Sequence, residues 1–134
     1  MGSDMERLTE IGTKVYQRTN RDCLRACLAT LLGRDLEAVP DFAAMEEPFL
    51  PPLTKWLDTN GYSLVFMGQP DGWVDMAIYF PLADELHIAV RDTWLGDHAV
   101  IQKGEEVIHN PSATALFDEL EETKYRLVIL KGTF

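Results

Sequence analysis

The chain offers thiol or imidazole chemistry at few places: two cysteines, Cys23 and Cys27, and three histidines, His87, His98 and His109. Cys23 stands in the stretch YQRTNRDCLRACLATLLG, residues 16–33, six positions after Gln17. From Asp22 onward Cys23, Ala26, Cys27, Thr30 and Leu31 recur at helical spacing, and Leu24, Leu28 and Leu32 widen the stripe. Gly33 is suited to close the run in the left-handed conformation. The spacing predicts a buried helix of about 11 residues with Cys23 in its first turn. A thiol at a helix N-terminus meets unpaired N–H groups and the positive end of the helix dipole, which favour the nucleophilic thiolate. It still needs a base, and a third group to hold the base.

His98 and Asn110 fit those two needs. His98 opens the run HAVIQ directly after WLGD, and Asn110 follows twelve residues later at the end of EEVIHNP. HAVIQKGEEVIHN reads as a hairpin turning at Lys103 and Gly104, which sets His98 and Asn110 at nearly matched heights. The Asn110 amide can then hydrogen-bond the His98 ring, and the spacing permits a Cys–His–Asn unit.

Other roles compete for the same side chains. A free cysteine is often a small buried hydrophobe, and Cys27, one turn below Cys23 on the same face, is assigned to the core. His109 alternates with Asn110 along its strand and is expected to face away from it, as a surface or supporting residue. His87 belongs to an ordinary strand pattern and reads as structural, and Trp94 reads either as core, the favoured reading, or as a lid over the active-site pair. A Cys2His2 metal site from Cys23, Cys27, His98 and His109 is disfavoured. Structural zinc cysteines usually come from a short knuckle rather than mid-helix, and His98 and His109 point to opposite faces of a regular hairpin. No metal and no cofactor are expected.

The elements that must position these groups follow from the rest of the chain. DLEAVPDF reads as a short helical turn stopped by Pro40. PPLTKWLDTNGY reads as a second helix starting after Pro51 and Pro52 and closed by Asn60 and Gly61. After Gly61 the runs YSLVFM, MAIYF, LHIAV, HAVIQ, EEVIHN and YRLVIL read as strands, punctuated by Gly68, Gly72, Gly96 and Gly104. Helices grouped before strands predict an α+β fold, with an antiparallel sheet packed on the cysteine-bearing helix. There is no internal repeat or low-complexity tract, so residues 1–134 read as a single domain, with residues 1–5 a tag remnant or a loose native start.

Charge narrows the partners. Twelve basic against 22 acidic residues leave a net charge of −10, which argues against a nucleic-acid backbone or an anionic membrane surface. The small acidic clusters at Glu46–Glu47 and in FDELEET read as solvated surface. No apolar run reaches the roughly 18 residues a transmembrane helix needs, and the first residues are polar and acidic, unlike a secretion signal. Two cysteines one helical turn apart are poorly placed for a disulfide, so reduced thiols and a cytoplasmic setting are expected.

Taken in chain order, YQRTNRDCLRAC, DHAVI and IHNPS resemble the papain-like cysteine peptidase superfamily. Within it the likeness is closest to bacteriocin-leader-processing peptidases and to small bacterial and phage domains of that fold. The resemblance spans Tyr16 to Leu130 but rests on those three islands. It implies a papain-like α+β fold in which Cys23 attacks a carbonyl and His98 protonates the leaving group. Asn110 then orients the imidazole, and Gln17 shares the oxyanion hole with the Cys23 N–H. The implied substrate is a peptide or protein, cleaved at an amide or isopeptide bond through an acyl-cysteine. A glutamine deamidase, a transglutaminase-like enzyme or an acyltransferase would use the same groups, and a binding module could keep the fold without turnover. The leader peptidases usually carry aspartate where Asn110 stands and a small residue where Leu24 stands.

Overall fold

A computed structural model describes residues 6–16, 18, 22–42, 50–68, 86–93, 96–104, 106–112 and 123–132. Gln17, Trp94, the expected strand MAIYF, residues 1–5 and both acidic clusters lie outside the described residues. The described elements run β1 (Glu6–Arg7), α1 (Cys23–Leu32), a 3₁₀ turn (Leu36–Ala38), α2 (Leu50–Thr59), β2 (Tyr62–Gly68), β3 (Leu86–Thr93), β4 (Gly96–Lys103), β5 (Glu106–His109) and β6 (Thr123–Lys131). The result is an α+β fold with α1 and α2 packed on an antiparallel sheet.

The sheet runs β2-β6-β3-β4-β5. β1 also pairs with β6, at Glu6↔Lys131 and Arg7↔Leu130. Tyr62 of β2 pairs with the same Lys131, so β1 and β2 flank opposite edges of β6 and β1 extends the β3 side. A two-residue strand carries no alternation of its own, and the sequence pattern does not anticipate it.

Local chemistry accounts for the helix ends. α1 stops where Gly33 takes φ 69°, ψ 41° and its N–H bonds the Ala29 carbonyl, the left-handed closure expected of glycine there. α2 begins at Leu50, so Pro51 and Pro52 occupy its first turn, where a missing N–H costs no helical bond. Arg34 joins the two helix ends: its guanidinium donates to Asn60 Oδ1 at 3.1 Å and lies 5.7 Å over the Trp56 ring. Arg25 Nε donates to the Val39 carbonyl at 2.6 Å and ties α1 to the chain after the 3₁₀ turn.

One contiguous apolar core lies between α1, α2 and one face of the sheet. It includes Cys23, Cys27, Leu28, Leu31, Leu53, Leu57, Ile88, Val90, Ala99, Ile101, Leu127 and Ile129. Alternation sends the intervening strand residues to the other face, where His87, Ala89, Val100, Gln102, Arg126 and Val128 are also buried. That second face is joined by polar pairs. Arg126 donates to His87 Nε2 at 2.6 Å, Arg91 donates to Gln102 Oε1 at 2.6 Å, and Gln102 Nε2 donates to the Gly104 carbonyl at 3.0 Å. Among the described residues no helix is long and apolar enough to cross a membrane.

Candidate active site

α1 begins at Cys23 itself, with Asp22 as its N-cap residue. The first intrahelical bond runs from Ala26 N–H to the Asp22 carbonyl at 2.8 Å, so the N–H groups of Cys23, Leu24 and Arg25 precede the helical ladder. Asp22 does not cap the helix with its side chain. Its carboxylate turns back, accepting the Arg18 N–H at 3.3 Å and lying 3.9 Å from the Arg25 guanidinium. Cys23 is 9% exposed, at the margin of the core rather than open to solvent. Cys27 is completely buried, and burial, reinforced by Cys23, pushes its thiol well above the ordinary value. Cys27 is therefore a protonated core residue across the physiological range.

His98 is positioned by a hairpin with an irregularity in its register. Lys103 pairs with Glu106 and Gln102 with Val107 across the turn at Gly104, whose φ is 61°. Continued regularly, that pairing would set Val100 opposite His109 and Ala99 opposite Asn110, and Asn110 would lie on the face away from His98. Instead Ile101 pairs with His109, one residue of β5 having been bulged out. The bulge exchanges the faces: His109 joins the side packed under α1, and Asn110 joins the side of His98. The opposite placement of His98 and His109, expected of a regular hairpin, thus depends on its being irregular.

His98 Nε2 lies 3.0 Å from Asn110 Oδ1. The same oxygen accepts the Ser112 N–H at 3.0 Å, an Asx turn that Pro111 favours by fixing its own φ. Because a backbone N–H can only donate, the Ser112 bond identifies the Asn110 atom as the amide oxygen. An oxygen acceptor requires His98 to carry its proton on Nε2, so in the neutral ring Nδ1 holds the lone pair. His98 is 8% exposed, and this burial lowers its pKa from the ordinary value. The Asn110 bond works in the other direction, and the Arg91 guanidinium, directly across on β3, lowers it further. The net direction is downward, which favours the neutral ring.

His109 takes the supporting one of its two expected places. Rather than lying at the surface it is 3% exposed, and its Nε2 donates to the Val15 carbonyl at 2.7 Å. Its ring also meets Tyr16 edge-on, with centroids 5.0 Å apart and planes at 78°. Burial lowers the His109 pKa, with the Val15 bond acting against the shift and Lys14 adding to it. Thr30 holds the same segment from α1, its Oγ1 accepting the Val15 N–H at 2.8 Å. Gly12 N–H donates to the Thr30 carbonyl at 2.9 Å, and a Cβ at Gly12 would come within 3.1 Å of Gly33 Cα. Residues 12–16 therefore run back along α1, from its C-terminal end toward Asp22.

His98 and Asn110 are thus brought together, and Cys23 heads the helix that packs against β4. Ala99, the neighbour of His98, shares the core with Cys23. His87 lies on the second sheet face, bonded to Arg126. Among the described residues no three histidine, cysteine or acidic side chains converge as metal ligands. A groove of about 540 Å³ lies elsewhere, between α2 and β2, lined by residues including Pro51, Thr54, Lys55, Tyr62 and Leu64. Thr30 is the supporting residue that sequence reasoning missed. A threonine inside an apolar helical stripe was the one available signal, since a buried hydroxyl needs a partner. No family model, curated protein or solved structure matches the chain.

Proposed function

We propose that the chain is a papain-like cysteine-dependent hydrolase that cleaves an amide or isopeptide bond of a peptide or protein through an acyl-cysteine. The observation that carries this reading is the Asn110 oxygen held between Ser112 N–H and His98 Nε2, which fixes the tautomer a base needs. Cys23 at the first position of α1 supplies the nucleophile.

In this mechanism His98 Nδ1 takes the Cys23 proton as Sγ attacks the substrate carbonyl. The N–H groups at the start of α1 face the developing oxyanion, and by the papain-like resemblance Gln17 adds a second donor. The imidazolium then protonates the leaving amine, and water attacks the thioester with His98 again as base. Alternation along β4 puts Ala99, not His98, directly beneath α1. The reading therefore requires the ring to approach Cys23 around the N-terminal end of β4, past a residue that is only a methyl.

Iodoacetamide labelling followed by mass spectrometry tests the assignment. Cys23 is expected to react faster than a free thiol and Cys27 not at all, with His98→Ala removing the enhancement. Because His98 is buried neutral, the acid limb of the profile should fall below the ordinary histidine value of 6.5. Equal, slow labelling in parent and His98→Ala would instead favour a binding module, for which the 9% exposure of Cys23 is the supporting observation.

A further inference from the structure

We infer that the outer edge of β2 is a self-association surface, at which two copies of the chain pair their β2 strands antiparallel about a two-fold axis at Val65. This association does not depend on the hydrolase reading. It is carried by a juxtaposition: an uncharged, unbroken sheet edge runs from the groove beside α2 to an exposed phenylalanine, Phe66.

β2 pairs with β6 through all 7 of its residues, from Tyr62↔Lys131 to Gly68↔Tyr125, without a register shift. Among the described residues it pairs with no other strand. Edge strands are usually protected by charge, proline, a bulge or short length, and YSLVFMG has none of these. The backbone shows which groups this edge presents. Gly132 N–H donates to the Gly61 carbonyl at 2.7 Å, so Gly61 and Gly132 form a hydrogen-bonded pair continuing the register of β2 and β6. Bonded and non-bonded pairs alternate along an antiparallel ladder. Ser63, Val65 and Met67 therefore turn their N–H and C=O groups toward β6, and Tyr62, Leu64, Phe66 and Gly68 turn theirs toward the outer edge.

A second β2 matches that pattern. Antiparallel pairing about Val65 sets Tyr62 opposite Gly68 of the second copy and Leu64 opposite its Phe66, and the symmetry repeats both pairs. Every outward N–H and C=O of β2 then has a partner, whereas a shift by two residues in either direction leaves one end unmatched. The side chains agree with this register. Phe66 is 45% exposed, on the face that Leu64 directs toward the core. Phe66 of the second copy, opposite Leu64, falls at the groove that Pro51, Thr54 and Lys55 form with Leu64, while Tyr62 crosses a glycine with no side chain. Because α2 lies along the Tyr62–Leu64 end of β2, the two-fold axis sets the two α2 helices at opposite ends of the shared edge. The net charge of −10 opposes association, but the paired strands add no charge of their own, so salt should strengthen the dimer.

Sedimentation equilibrium of the full chain over a wide range of concentrations tests the pairing. The expected result is a reversible monomer–dimer equilibrium that moves toward dimer as salt is raised. Phe66→Pro removes an outward donor and the phenyl ring but no bond to β6, and should raise the dimer dissociation constant by about tenfold or more. Val65→Cys, in a Cys23→Ser background, puts two thiols opposite each other in a non-hydrogen-bonded pair with Cα atoms about 4.5 Å apart, and should cross-link the dimer under mild oxidation. Phe66→Cys in the same background should not, because its counterpart lies two residues out of register. The cross-link decides the matter even if Phe66→Pro fails to fold. A chain monomeric at every concentration would overturn the inference and leave the edge to an extended segment of another protein. So would a dimer indifferent to Phe66→Pro, or one that cross-links through Phe66→Cys and not through Val65→Cys.

Discussion

The two faces of the sheet are both buried, but they are built differently. Beneath α1 the contributions of β3, β4 and β6 are apolar: Ile88, Val90, Ala99, Ile101, Leu127 and Ile129. On the other face apolar Ala89, Val100 and Val128 alternate with hydrogen-bonded pairs, Arg126 with His87, Arg91 with Gln102 and His98 with Asn110. An apolar face tolerates exchange at constant volume, since dispersion and burial are not directional. A paired polar face does not, because removing one partner strands the other in a dry environment. The proposed base belongs to the second kind, which is why its protonation and orientation are so narrowly set.

Substitutions should separate the faces by the kind of damage they do. The largest stability loss is expected under α1: Ile101→Ala, at a fully buried position, should cost about 2–5 kcal/mol in denaturant unfolding. Thiol reactivity measured well below the midpoint should then change little. A cost under about 1 kcal/mol would mean that the α1 face is loosely packed.

Asn110 should show the reverse. Asn110→Ala takes the acceptor from both His98 and Ser112 N–H and should cost about 1 kcal/mol, while lowering acylation about tenfold to a hundredfold. Asn110→Asp should retain activity, because a carboxylate accepts both bonds. It should also raise the His98 pKa, since a negative charge favours the imidazolium. Identical His98 titration midpoints in parent and Asn110→Asp would break the pairing on which the second face is argued.

The contrast also accounts for what was legible in the sequence. α1 was readable from its periodicity and Gly33, and the hairpin from Lys103–Gly104, because these signals are local. The closeness of His98 and Asn110 was readable from spacing, but the bulge that makes it possible was not. A one-residue register shift reverses every face beyond it and leaves no mark in composition. That His109 and Thr30 both meet Val15 was not readable, because each contact crosses the fold. β1 was invisible because two residues have no period.

A smaller effect follows from the lowered pKa values of His98 and His109. Each has a depressed folded-state pKa, so the unfolded chain binds more protons below the ordinary histidine value of 6.5. Their contribution is present above that value and is lost as pH falls through the folded pKa values. Stability should therefore decline from pH 7 toward pH 5, and His109→Gln should flatten part of that slope. A slope unchanged by the substitution would place the titrating groups elsewhere. The smallest effect is expected at the exposed ion pair of Arg18 with Glu37, both more than half exposed. Arg18→Ala should leave the melting temperature unchanged within error, although the Glu37 pKa, lowered by its own backbone and by Arg18, should move back up.

The most direct test of the Cys23–His98–Asn110 unit is the nitrogen spectrum of the His98 ring, recorded at neutral pH in the parent and in Cys23→Ala. The proposed arrangement predicts a neutral imidazole with its proton on Nε2 and the lone pair on Nδ1, and an Nδ1 resonance that shifts when the sulfur is removed. A ring protonated on Nδ1, or an Nδ1 resonance indifferent to Cys23→Ala, would contradict it.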